Sequence, residues 1–239
     1  MSLKTLVNRC ERALTLDVST TIIGNTDPNV RLLLEKSNEE GKELSKRHSW
    51  QVLESEQTFT ATATETQSTA LPADMGNPKR FIRGSFFNRS ETRPVAGPLS
   101  PQEWQAQKSL TASLLTDGFR IRGNDWLAIP TPTAGDTYVF EYISSYWVDT
   151  DADGVGETES WENDTDTALI PEDLMYLGVI WRFREARGLN YAEHFNTYEK
   201  NVIEAMMRDG SKRMINYAYD DMLYDRVPTP LVNDGNWNL

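Results

Sequence analysis

The sequence predicts an α+β protein: a four-helix bundle built from an N-terminal and a C-terminal helix pair, an inserted β-rich domain, and an extended C-terminal tail. Three observations carry this. Apolar residues recur at helical spacing near both ends of the chain. Between them the pattern becomes strand-like alternation with a threonine-rich run. Beyond about residue 210 no sustained period remains. The expected parts are 1–50 and 171–210 for the bundle, 51–170 for the insertion and 211–239 for the tail.

Leu3, Leu6, Val7, Cys10, Ala13 and Leu14 form the first helical stripe, which makes Cys10 a small buried hydrophobe. Asp27-Pro28 supplies an N-cap followed by proline at the first helical position. Behind it Val30, Leu34, Ser37, Gly41, Leu44 and His48 form one face of a helix running to about Trp50. Ser37 and Gly41 are small and would admit a neighbouring helix. His48 closes the stripe, where a cation also complements the helix dipole.

After Trp50 the run to Thr60 alternates, and Thr58 to Thr66 is rich in β-branched threonine, so strand, turn and strand are expected up to Leu71-Pro72. Phe81-Ile82, Phe86-Phe87 and Pro94-Val95 read as short strands or turns. Ser100-Pro101-Gln102-Glu103 is a capping box opening a short helix with Trp104 and Leu110. Phe119 to Pro130 reads as a hairpin turning at Asn124-Asp125, and Thr137 to Val148 as the clearest strand. Pro171 opens a helix with Leu174, Leu177, Gly178 and Trp181 on one face, and Gly188 stops it. Asn190 caps the last helix, whose stripe is Tyr191, Phe195, Tyr198, Val202 and Met206.

Charge narrows the function classes. Acids outnumber bases 36 to 24 over 239 residues, giving −12, which argues against a nucleic-acid binder because phosphate neutralisation needs a basic surface. The charge is also segregated. Between Gly123 and Trp181 there is no Lys or Arg, and that stretch alone carries −13. Lys79, Arg80, Arg83, Arg89 and Arg93 face only Glu91 across 79–93, a local +4. In an oligomer the basic segment of one subunit would meet acids of its neighbour.

One cysteine excludes an internal disulfide, and two histidines, His48 and His194, leave little imidazole chemistry. No apolar run is long enough to span a bilayer, and the first residues lead into an amphipathic pattern rather than a secretory signal. The expectation is a soluble protein of a reducing cytoplasm without a conventional enzyme site. Asp149, Asp151 and Asp153, with Gly154 and Glu157, have the oxygens and turn of a calcium loop. The twelfth position, where an EF-hand needs glutamate, is Ser160, and the flanks read as strands. The competing reading is a solvated acidic hairpin tip, with no cofactor.

After residue 210, Tyr217, Tyr219, Tyr224, Leu231, Val232 and Trp237 are spaced aromatic and aliphatic anchors on a path that Pro228 and Pro230 keep extended. Such a segment suits a groove on a partner.

Three stretches resemble the head-to-tail adaptor (connector) proteins of short-tailed bacteriophages. They are NVRLLLEKSNEEGKELSKRHSW at 29–50, running into Gln57-Thr58-Phe59; RPVAGPLSPQEWQAQK at 93–108, followed by FRIRGNDWLAIPTPTAGDTYVFEYIS at 119–144; and TDTALIPEDLMYLGVIWRFREARGLNYAEHFNTYEKNVIEAMMRDG at 165–210. The resemblance implies a helical bundle with a β-rich insertion, assembled in the host cytoplasm as a dodecameric ring at the virion neck. It implies the portal protein as the partner of the tail and a tail or nozzle protein on the far side. DNA would pass through the lumen only as cargo, with no membrane contact and no catalysis. Two other readings stand beside it: a tail or baseplate β protein binding a host-surface glycan, and a hydrolase using two carboxylates.

Overall fold

The computed structural model describes residues 2–67, 70–76, 78–110 and 117–209. Five helices appear in chain order: α1 (Leu3–Ala13), α2 (Pro28–Arg47), α3 (Pro101–Lys108), α4 (Glu172–Ala186) and α5 (Ala192–Asp209). The strands are β1 (Glu54–Thr60), β2 (Thr66–Gln67), β3 (Phe87–Asn88), β4 (Arg93–Pro94), β5 (Gly118–Arg122), β6 (Asp125–Ile129), β7 (Thr137–Ile143), β8 (Val148–Asp149) and β9 (Thr167–Ala168). Among the described residues, one compact unit gathers 2–57, 71–82 and 141–209, and a second gathers 58–70 and 83–140.

The first unit is organised around α4. The N-termini of α1 and α2 are capped: the Ser2 side chain accepts from Thr5 N–H, and Asp27, as the sequence predicts, accepts from Asn29 N–H at 2.7 Å. Leu174, Met175, Val179, Ile180 and Phe183 of α4 are all buried, so this helix is apolar around most of its circumference. A helix of that kind must be surrounded. It packs against α1, α2 and α5, and α1 also touches α2.

This is not the expected four-helix bundle. The core around α4 is completed by Ile143, Trp147, Val148 and Trp161, which come from the β-rich stretch. The arrangement is α+β with several antiparallel sheets and more β structure around the helices than a bundle with a projecting insertion would have. The small residues of α2 serve the same end. Gly41 is covered by the indole of Trp147, where an added Cβ would overlap the ring, and not by a helix. Trp147 is held there by donating Nε1–H to the Glu159 carbonyl at 2.9 Å and by an edge contact with Trp161 at 5.0 Å.

The second unit has an aromatic core. Phe59 stacks on Tyr138 at 5.6 Å, Phe86 on Phe140 at 5.3 Å, and Phe119 on Trp126 at 5.3 Å. The predicted hairpin is present as β5 and β6, paired Phe119 with Ala128 and Ile121 with Trp126. The predicted capping box is also present, with Ser100 and Glu103 bonding reciprocally at the start of α3. Trp104 of α3 packs on Leu127 and Ile129. The threonine-rich region forms β1 and β2, but these do not pair with one another. The sheet orders are β1-β7-β3-β4 and β2-β6-β5. Long-range pairing overrides the local turn because β6 and β7 offer the apolar faces that each strand needs.

Candidate functional site

The five basic residues are distributed between the two units. Lys79 and Arg80 belong to the first, and Arg83, Arg89 and Arg93 to the second. Arg80 is half-buried, donates Nη1–H to the His48 carbonyl at 3.2 Å, and has its pKa pushed down by burial. Arg93 ion-pairs through Nε with Asp117 at 2.9 Å and through Nη2 with Glu91 at 3.1 Å. Burial raises the Asp117 carboxyl, and Arg93 opposes that rise. Arg83 and Arg89 are exposed. Arg80 and Arg93 are therefore committed within their own chain.

Many acids of the −13 stretch are likewise in use, holding backbone N–H groups. Asp164 accepts from Ile22 N–H at 3.0 Å and Ile23 N–H at 2.7 Å. Asp166, fully buried, accepts from Glu162 and Asn163. Glu172 and Asp173 pair with Arg9 at 2.8 and 3.1 Å. In the sequence these groups are net charge; in the fold Asp164 and Asp166 staple loops, and Glu172 and Asp173 tie α4 to Arg9 of α1.

The calcium-like loop follows the same pattern. The carboxylates of Asp149, Asp151 and Asp153 gather within 4.8 Å of one another. Asp149 is buried and accepts from Ala152 N–H at 2.6 Å and Gly154 N–H at 3.0 Å. Asp151 accepts from Asp153 N–H at 3.3 Å, and Asp153 from Val155 N–H at 2.8 Å. Glu157 turns to the Thr150 N–H and hydroxyl, both at 2.6 Å, and these hydrogen bonds hold its pKa down. The oxygens that would ligate a cation are those that shape the turn. The flanks are β8 and extended chain, not the helices of an EF-hand.

The tail anchors Tyr217, Tyr219, Tyr224, Leu231, Val232 and Trp237 lie outside the described residues. His48 is the C-cap of α2. Its ring meets Trp50 edge-on at 4.9 Å, and its Nε2 lies 3.2 Å from Asp209 Oδ2, at the end of α5. Asp209 also accepts the Gln51 N–H at 3.0 Å.

Two features had no clear sequence signal. Arg182 of α4 is buried and reaches three glutamates of α2: Nε to Glu40 at 2.6 Å, Nη1 to Glu39 at 3.0 Å and Nη2 to Glu43 at 2.5 Å. Burial alone would lower the Arg182 pKa, but Glu40 and Glu43 raise it. Burial pushes the Glu40 carboxyl up, against hydrogen bonds from Tyr198 and Arg182. Gly178 leaves the space that Glu40 fills.

The second feature is an open groove of about 620 Å³ between the end of α1 and the α4–α5 corner. Leu14, Leu16, Phe183 and Leu189 give it an apolar lining, and Arg184 and Arg187 are its charged residues. Beside it Tyr191 and Phe195 remain exposed while packing on Trp181, Phe195 at 5.1 Å. The expected stripe of α5 is thus only partly covered: Tyr198 and Val202 are buried, and Tyr191 and Phe195 are not. The groove joins apolar and cationic side chains on one surface. No helix among the described residues is long and apolar enough to cross a membrane.

The family model described as SU10 adaptor protein matches residues 1–221. No curated protein sequence matches the chain.

Proposed function

We propose that the protein works as the head-to-tail adaptor of a short-tailed bacteriophage, on the premise that the chain belongs to the SU10 adaptor protein family. Membership makes it a structural adaptor protein of a phage virion, associated with portal and tail proteins. That match, across nearly the whole chain, is the observation that carries the reading.

The finer proposal is a closed, dodecameric ring bound beneath the portal protein, with a tail or nozzle protein on its other side. A closed ring of identical subunits uses two different patches of one chain at every junction. The segregated charge and the part-covered apolar surface of α4 and α5 supply unlike patches. DNA crosses the ring only as cargo, and the net charge of −12 keeps duplex from adhering to it. The segment 211–239 is the docking tail, with Tyr217, Tyr219, Tyr224, Leu231, Val232 and Trp237 as its anchors, and its far end reaches the portal.

The test is to mix the purified protein with its portal protein and image the product by electron microscopy. A ring coaxial with the portal, twelve subunits round, is the expected result. A protein that binds no portal and instead binds a glycan would overturn the reading.

A further inference from the structure

We propose that the groove between the end of α1 and the α4–α5 corner receives residues 219–225 of a neighbouring copy of this chain. Arg184 and Arg187 would receive the carboxylates of Asp220, Asp221 and Asp225. The inference rests on the ring-forming reading above and divides the work of the tail: 219–225 grips the adjacent subunit, leaving Leu231, Val232 and Trp237 for the portal.

The groove is built for a peptide of mixed character. Its lining holds two guanidinium groups and no carboxylate. Arg187 lies over the Phe183 ring at 5.5 Å, a pose that presents the face of a cation above an apolar floor. Arg184 uses Nε–H for the Asn190 carbonyl at 3.0 Å, and its terminal nitrogens make no hydrogen bond among the described residues. Leu189, on the rim, is 48% exposed. Aromatic and arginine side chains around a depression are the composition of binding hot spots, and here Phe183, Arg184 and Arg187 supply it.

The occupant follows from complementarity. Thirty residues, 210–239, continue beyond the described helix α5. Within them, Tyr219 to Asp225 interleaves Tyr219, Met222, Leu223 and Tyr224 with three aspartates and contains no cation. The chain therefore carries both an acidic apolar segment and a basic apolar groove. Ten residues extend at most about 36 Å, against about 27 Å for the length of α5, so the segment is not confined to the end of that helix. A segment that meets the groove of the next copy repeats around a ring and closes it.

Charge swapping tests this in the full-length chain. One variant carries Arg184→Glu and Arg187→Glu; a second carries Asp220→Lys, Asp221→Lys and Asp225→Lys; a third carries all five changes. Assembly is measured by mass photometry, alone and with portal protein. Each of the first two should raise the concentration for half-assembly about tenfold or more. An equimolar mixture of the two should assemble like wild type, because every junction can then pair opposite charges. The second variant leaves every side chain of the helical unit in place, so it keeps the test open if the first fails to fold. Its assembly at wild-type concentration would overturn the inference while leaving the ring reading intact. Rescue by the five-fold variant without rescue by the mixture would place the segment in its own groove and overturn the neighbour assignment. A wild-type chain that forms no ring, alone or on portal, would overturn both.

Discussion

The Nε–H of Arg182 donates to Glu40 Oε2 at 2.6 Å, joining α4 to α2 where Glu40 is fully buried. Two more glutamates of α2 share the same guanidinium. Arg182→Met would leave a buried carboxylate without its counter-charge, and unfolding in urea should show a loss of about 3–5 kcal/mol. Adding Glu40→Gln should recover part of that loss, since the orphaned charge is then gone. Full stability in Arg182→Met alone would mean that the cluster is decorative.

Gly41 is needed because of the ring above it. Gly41→Ala places a methyl group inside the Trp147 indole, which must shift or tilt. The expected cost is about 1–3 kcal/mol, with a change in the near-ultraviolet circular dichroism of the Trp147–Trp161 pair.

Arg80 and Arg83 should separate folding from assembly. Arg80→Glu breaks the contact to the His48 carbonyl in a half-buried setting, so it should lower the melting temperature. Arg83 is exposed, and Arg83→Glu should leave melting within about 0.5 kcal/mol of wild type. If the ring is closed by charge, Arg83→Glu should slow its formation and flatten its salt dependence. Assembly kinetics at two ionic strengths read this directly.

In the acidic turn, position decides the effect. Asp149→Ala removes two hydrogen bonds to backbone N–H groups from a buried site and should cost about 1–3 kcal/mol. Limited proteolysis near 150–156 should accelerate with it. Asp151 is exposed; desolvation first, and then its like-charge neighbours, raise its carboxyl pKa. Asp151→Ala should therefore be nearly neutral.

Glu199 makes a paired contact with the Arg47 guanidinium, 2.8 Å at Nη1, and that hydrogen bond holds its pKa below the usual carboxylate value. A lowered folded-state pKa adds stability above the unfolded carboxylate range, and the contribution is lost as pH falls through the folded value. Glu199→Gln should cost about 1 kcal/mol or less at neutral pH and make the acid limb of the stability profile shallower. A parallel acid limb in the variant would show that the pair does not couple to folding.

The helices were legible wherever local chemistry marks them. The Asp27-Pro28 cap, the capping box at Ser100, the stop at Gly188 with φ +68°, and the stripe of Leu3, Leu6, Val7 and Cys10 are all found in place. What sequence pattern could not give is which surfaces those stripes meet. Alternation around Trp147 announces a strand but not that its indole covers Gly41 of α2. Glu40 looks like a solvated charge between buried Leu33 and Leu44, and only the distant Arg182 accounts for its burial. The −13 stretch is visible in the sequence as charge, but not that Asp149 and Asp166 hold N–H groups of their own loops and Asp164 those of the distant Ile22 and Ile23. The rim arginines of the groove are far from the Leu14–Leu16 turn in sequence, so no local motif unites them.

The fastening of Asp209 has a mechanical consequence. Its carboxylate accepts the Gln51 N–H and lies 3.2 Å from His48 Nε2, at the point where α2 ends and β1 is about to begin. Tension applied to the chain beyond Asp209 would reach that clasp before it could peel α5 turn by turn from α4. The load would pass into α2, and through the Arg182 cluster into α4, so a tug on the tail would strain the helical unit as a whole instead of fraying one helix from its end.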